Sequence, residues 1–156
     1  MRFSLIVATL GRSREIGELM ESLLAQARDD LEVIIVDQNA DDRVAPVLAP
    51  YAPRLRLTHL RSSIRNANHA RNLGLRAAQG EIVTFPDDDC LYPEGVLARV
   101  DAAFRANPSL GVLTGPAASP GRPTRPTRSG FRNQACRESQ ARHLSYDHDR
   151  ETLHRF

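Results

Sequence analysis

Two short apolar runs separated by an amphipathic stretch constrain the fold of this 156-residue chain more than any other feature. Residues 3–9 (FSLIVAT) and 31–36 (LEVIIV) are nearly continuous in aliphatic and branched side chains. They lack the strict polar alternation of a half-exposed strand, and this is the pattern of strands buried on both faces of a parallel sheet. Between them Ile16, Leu19, Met20, Leu23, Leu24 and Ala27 recur at three- and four-residue steps, while Glu15, Glu18 and Glu21 fall elsewhere around the wheel. That spacing predicts a helix with Ser13 at its N-cap.

The alternation continues. Residues 43–52 allow at most a short, proline-interrupted helix, and 55–60 predict a third strand nearer a sheet edge. Residues 66–78 predict a helix closed by Gly80, 81–85 (EIVTF) a fourth strand, 93–106 a helix with Pro93 in its first turn, and 110–114 a fifth strand. Strands alternating with helices imply an α/β domain with a mainly parallel sheet. Right-handed crossovers place every strand end that leads into a helix on one rim, where open α/β sheets bind ligands.

Composition divides the chain at about residue 115. Of the Val, Ile, Leu, Met and Phe residues, 36 lie in 1–115 and 4 in 116–156. The later segment carries 8 Arg and 4 acids, a net +4, against 13 Arg and 15 acids, a net −2, before it. With Pro116, Pro120, Pro123 and Pro126 at its start, 116–156 reads as an Arg- and Pro-rich tail, extended or disordered, after a folded domain at 1–115. The abrupt loss of apolar residues suggests a truncated or frame-altered gene. All 21 basic residues are arginine, so side-chain phosphate contacts must use the guanidinium fork, and a P-loop lysine is excluded. Cys90 and Cys136 form neither a disulfide framework nor a zinc motif, which favours a reducing, cytoplasmic setting. No apolar run is long enough to span a membrane. The basic tail leaves peripheral membrane association open, and nucleic acid is not the expected partner.

Three strand ends deliver polar groups to the expected rim: Thr9, Leu10, Gly11 and Arg12 after the first, Asp37, Gln38 and Asn39 after the second, and Asp87, Asp88 and Asp89 after the fourth. Three adjacent carboxylates after an apolar strand repel one another and call for a compensating cation. Mg²⁺ or Mn²⁺ suits oxygen ligands and keeps positions open for diphosphate oxygens. Asp37 is a candidate acceptor for a base N–H or ribose hydroxyl. Arg71, on the helix before the triplet, is a candidate phosphate or base contact. His59, His69, His143 and His154 show no spacing that assigns them a role, and Cys90 is expected to pack under the triplet loop.

These residues resemble the family 2 glycosyltransferases, whose nucleotide-sugar-binding half has the Rossmann-like GT-A fold. The resemblance rests on the opening strand with Thr9 and Gly11-Arg12, on VIIVDQNADD at 33–42, and on ARNLGLRAAQGEIVTFPDDD at 70–89 with its Asp-x-Asp motif. It implies that Thr9 and Asp37 hold the nucleobase, that Arg12 and Arg71 support the nucleotide, and that Asp87 and Asp88 contact the ribose or diphosphate. Asp89, with Asp87, would ligate Mn²⁺ or Mg²⁺. The activity implied is inverting transfer of a sugar from a nucleotide-diphosphate donor to a saccharide, lipid or protein acceptor. Gln38 and Asn39 depart from the family's more usual acidic and small pair. No general base is identifiable in these residues, and the expectation is a chain that lacks the family's acceptor-binding half. The competing expectations are a non-catalytic donor-binding or partner-binding module and, less favoured, a nucleotidyltransferase.

Overall fold

The computed structural model describes residues 2–114. Eight elements follow in order: β1 (Phe3–Thr9), α1 (Arg14–Leu24), β2 (Leu31–Asp37), α2 (Ala45–Leu48), β3 (Arg56–Arg61), α3 (Ala67–Ala77), β4 (Ile82–Thr84) and α4 (Val96–Ala106). The four strands form one sheet in the order β3-β2-β1-β4, and every pairing is parallel. β1 and β2 are the two central strands, as their unbroken apolar runs predict, and both are buried along almost their whole length.

The sheet sorts its side chains by alternation. Ile6, Ile34 and Val36 point to one face and form a buried cluster with Ala70, flanked by Leu60, Leu73, Ala77 and Val83. α3 therefore lies on that face. It lies close because residue 74 is glycine: a Cβ there would collide with the Ile6 side chain and come within 3.3 Å of Val36. β1, β2 and β3 step in one direction, and β4 returns to the far side of β1. Right-handed crossovers then put α1 and α2 on the opposite face, where Ile16, Leu19, Met20 and Leu23 are buried.

The reversal of direction between β1 and β4 is a topological switch point, the place in such sheets where the loops part and leave a crevice. At the other end of β1 the buried polar groups are structural. Ser4 Oγ donates to Glu32 and accepts from the Gly80 N–H at 2.7 Å, and Glu32 also accepts from the Gln79 N–H at 2.6 Å.

Several expected boundaries move. Ser13 occupies the N-cap position of α1 without a capping hydrogen bond, whereas Asn66 caps α3 by accepting from the His69 N–H at 3.0 Å. β4 shortens to three residues. Residues 110–114 do not form the expected fifth strand: a single bridge residue, Val112, is all that remains among the described residues. Gly111 interrupts an already short apolar run there and removes the side chain that would pack it. Residues 2–96 make up the compact unit that carries the sheet, and most of α4 belongs to a second unit, with an Arg105–Asp101 ion pair one turn apart. The expectation for the tail at 116–156 lies outside the described residues.

Candidate functional site

The rim formed by the C-terminal ends of the strands gathers the expected residues. Thr9 and Asp37 are register partners at the ends of β1 and β2. Thr9 Oγ1 donates to Asp88 Oδ2 at 2.8 Å across the switch point, joining positions 79 residues apart. Arg12 bonds Asp88 Oδ1 with one guanidinium nitrogen and pairs with Asp89 at 2.9 Å through the other. Arg71, on α3, reaches Asp87 at 3.2 Å. The structure thus brings together Thr9, Arg12, Arg71, Asp87, Asp88 and Asp89.

The three aspartates have different surroundings. Asp88 is 5% exposed and fully engaged by Thr9 and Arg12. The side chains of Asp87 and Asp89 are 67% and 47% exposed. The hydrogen bond and charge of Asp88, with a further contribution from Asp89, raise the Arg12 pKa, so its guanidinium is a fixed positive charge. The loop is held from below. Gln26, beyond the end of α1, donates to the carbonyls of Tyr92 and Pro93 at 3.2 and 3.0 Å, and the Tyr92 N–H donates to Ser22 Oγ. Burial pushes the Tyr92 phenol up, keeping it a neutral hydroxyl next to Thr84.

Cys90, next to the triplet, lies beside the two exposed carboxylates. Its sulfur and one carboxylate oxygen from each of Asp87 and Asp89 lie within 4.8 Å of one another. Two hard oxygen donors open to solvent suit Mg²⁺ or Mn²⁺, and a thiol beside them adds a softer donor. The donor set therefore fits the expected divalent cation.

Asp37 lies on the same rim but is sealed, with no exposed surface. Oδ1 accepts from the Asn39 N–H at 2.9 Å and from Asn39 Nδ2 at 2.7 Å. Oδ2 meets His59 Nε2 at 3.2 Å and Arg61 Nη1 at 3.1 Å. Arg61 also donates to the Asn39 carbonyl, and Asn39 Oδ1 accepts from the Gly11 N–H at 2.7 Å. Gly11 supplies that N–H from a left-handed conformation, φ +82°, which disfavours other residues. A carboxylate with four partners and no exposed surface organises the loop around it.

The next residue contrasts with it. Gln38 is also buried, its N–H donates to the Thr9 carbonyl, and its Oε1 is the one buried side-chain atom without a hydrogen-bond partner among the described residues. Gln38 lines an open cleft of about 340 Å³ with Asn39, Ala40, Arg61, Ser62, Ser63 and Arg65. Sequence reasoning placed Gln38 and Asn39 on the rim without a role, gave His59 none, and missed Arg61. A signal was present: the last residue of a fully buried central strand is itself buried, so the residues after it reach the rim.

Comparison with known proteins identifies the family and the fold. The family model for Glycosyl transferase family 2 covers residues 4–154. The chain belongs to glycosyl transferase family 2. An uncharacterized glycosyltransferase of Haemophilus influenzae is 34% identical over 116 residues, which is 73% of this chain and 38% of that protein. A mannosyltransferase of Pyrobaculum calidifontis, solved with GDP-Man and Mn²⁺, superposes with a TM-score of 0.64 and 34% identity over 70% of this chain and 34% of its own. Residues 1–349 of the Staphylococcus aureus poly(ribitol-phosphate) β-N-acetylglucosaminyltransferase TarS, solved with UDP-GlcNAc, give a TM-score of 0.65 and 29% identity, covering 70% and 33%. This family member has the Rossmann-like GT-A fold and spans about a third of the length of these relatives. No helix among its described residues is long and apolar enough to cross a membrane.

Proposed function

We propose that this glycosyltransferase chain holds a nucleotide-diphosphate sugar on the rim, with Mn²⁺ or Mg²⁺, for inverting transfer of the sugar to an acceptor hydroxyl. The observation that carries this reading is the Thr9–Asp88–Arg12 junction at the switch point. It sets the open Asp87 and Asp89 carboxylates at one end of the rim and the cleft beside Gln38 toward the other. Such a layout suits a ligand with a charged diphosphate at one end and a flat, hydrogen-bonding base at the other.

In this reading Asp89 and Asp87 hold the cation. Bound there, a divalent ion supplies Lewis-acid stabilisation of charge on the departing nucleotide diphosphate. Asp88, braced by Thr9, orients the ribose or diphosphate side, and Arg12 and Arg71 supply guanidinium donors to phosphate oxygens. Thr9 positions the nucleotide through Asp88. Asp37 acts on the base through the loop it organises. The unpartnered Gln38 Oε1 accepts from a base N–H in the cleft, where an unmet buried acceptor gains most from a ligand donor.

The acceptor-side general base has no assignment. Among the described residues every carboxylate on this rim, Asp37, Asp41, Asp42, Asp87, Asp88 and Asp89, contacts an arginine. That observation favours a second reading, in which the chain binds donor without turning it over. Calorimetry with UDP and GDP sugars in the presence of Mn²⁺ tests both. Metal-dependent binding that Asp89→Ala abolishes supports donor binding. Sugar transfer or donor hydrolysis by the same sample separates an enzyme from a binding module. No binding of any donor with Mn²⁺ overturns the proposal.

A further inference from the structure

We infer that Arg12 is an exchangeable placeholder for the cation: it bridges Asp88 and Asp89 when no divalent ion is held, and transfers its guanidinium to the donor's diphosphate when one is. The inference rests on the donor-binding reading above and concerns how this chain's own arginine couples metal and nucleotide.

Arg61 also pairs with a sealed and an open carboxylate, Asp37 and Asp42, but through the single nitrogen Nη1, whereas Arg12 divides its fork. Its two terminal nitrogens are split between two neighbouring carboxylates, one sealed under the rim and one open, instead of forming a fork on a single carboxylate. By contrast, Arg43 places two nitrogens on Asp41 alone. A guanidinium in this bridging position occupies the electrostatic niche between Asp88 and Asp89. Its side chain is 44% exposed, so it can swing outward without unpacking the core.

Charge accounting supplies the driving force. The triplet carries a formal −3 and is met by two guanidinium groups, Arg12 and Arg71, leaving −1. A residual −1 competes poorly with water for a hydrated divalent ion. If Arg12 leaves, the Asp89 carboxylate is freed for the cation, while Asp88 keeps the Thr9 hydrogen bond that holds it in place. The displaced guanidinium then stands beside newly added positive charge and is repelled unless an anion receives it. A diphosphate carrying about two negative charges is such an anion and accepts the fork in bidentate fashion. Metal and nucleotide must therefore strengthen each other's binding, and by linkage the factor is the same in both directions.

The test is a binding cycle by calorimetry on the whole chain: Mn²⁺ alone, UDP or GDP alone, and each in the presence of the other. In the parent protein the coupling factor is expected to be at least about tenfold. Arg12→Gln should bind Mn²⁺ alone about five- to tenfold more tightly and show a coupling factor several-fold smaller than the parent's, the remainder coming from the cation's own contact with the diphosphate. Arg43→Gln removes the same charge from the same rim and should leave the coupling intact. Should Arg12→Gln fail to fold, Arg12→Lys carries the test: a single ammonium bridges two carboxylates poorly, so Mn²⁺ alone should again bind more tightly. Unchanged or weaker Mn²⁺ binding in the folded Arg12 variants, or coupling as strong in Arg12→Gln as in the parent, overturns the exchange while leaving donor binding standing. A parent protein that binds neither Mn²⁺ nor nucleotide removes both.

Discussion

The rim carries two aspartate clusters that look alike in sequence and differ in their surroundings. Around Asp37, at the β2 and β3 ends, a carboxylate has no exposed surface and four hydrogen-bond partners, all from within twenty-four residues. Around Asp87, Asp88 and Asp89, at the β1 and β4 ends, one carboxylate is buried and two face solvent; Thr9 and Arg12 reach Asp88 from 79 and 76 residues away, while Arg71 reaches Asp87 from 16. A carboxylate whose acceptors are filled by the protein is part of the scaffold. One that borrows an arginine at the surface is available to a ligand. The difference separates stability from binding on one rim, and substitutions should separate in the same way.

The largest effect expected is on folding. Asp37→Ala leaves Arg61, His59 and the Asn39 amide without their shared acceptor and should cost about 3 kcal/mol, read as a shift in the urea midpoint at unchanged slope. The lower end of the range for buried pairs applies because Arg61 and His59 reach solvent. Asp89→Ala should do the opposite: a change in stability within about 0.5 kcal/mol, but a loss of Mn²⁺-dependent nucleotide affinity of about tenfold or more. If the two substitutions exchanged these signatures, the division of the rim would be wrong.

Gln38→Met tests the middle ground. It replaces a buried amide whose Oε1 has no partner and whose Nε2 makes only a long 3.4 Å contact to the Thr9 carbonyl by an apolar chain of similar length, so stability should hold within about 1 kcal/mol while nucleotide affinity falls several-fold, by calorimetry. The smallest effect is in acid. Arg43 holds the Asp41 carboxyl down from 3.8 to about 2, chiefly by hydrogen bonding. A depressed folded pKa contributes stability that is fully present above the ordinary carboxylate range and is lost as pH falls through about 2. Asp41 is exposed, so the loss between pH 5 and pH 2 should be slight, and Asp41→Asn should flatten that part of the profile.

The scaffold was legible because it is written in local periodicity. The continuous runs of β1 and β2 and the stepped apolar residues of α1 each specify a burial pattern without reference to the rest of the chain. The triplet and Thr9 were legible as rim groups for the same reason, since topology alone carries strand ends to one edge. The partnerships were not. Arg12 finds Asp88 seventy-six residues away, and Arg71 finds Asp87 across the α3–β4 turn, so no local pattern reveals which arginine neutralises which carboxylate. Asp37 attracted attention as an acid at a strand end, yet its place on a central strand buries it together with Gln38 and Asn39, and the loop first reaches solvent at Ala40. His59 looked idle because its partner belongs to the adjacent strand. The expected strand at 110–114 failed for the opposite reason: its local signal was too short and was broken by Gly111.

The most direct test is a crystal structure of the chain with Mn²⁺ and UDP or GDP. The expected result is a cation on Asp89 and Asp87, a diphosphate within reach of Arg12, and a base in the cleft within hydrogen-bonding distance of Gln38 Oε1. A nucleotide bound away from the β1–β4 switch point, or a cation held without either exposed aspartate, would contradict it.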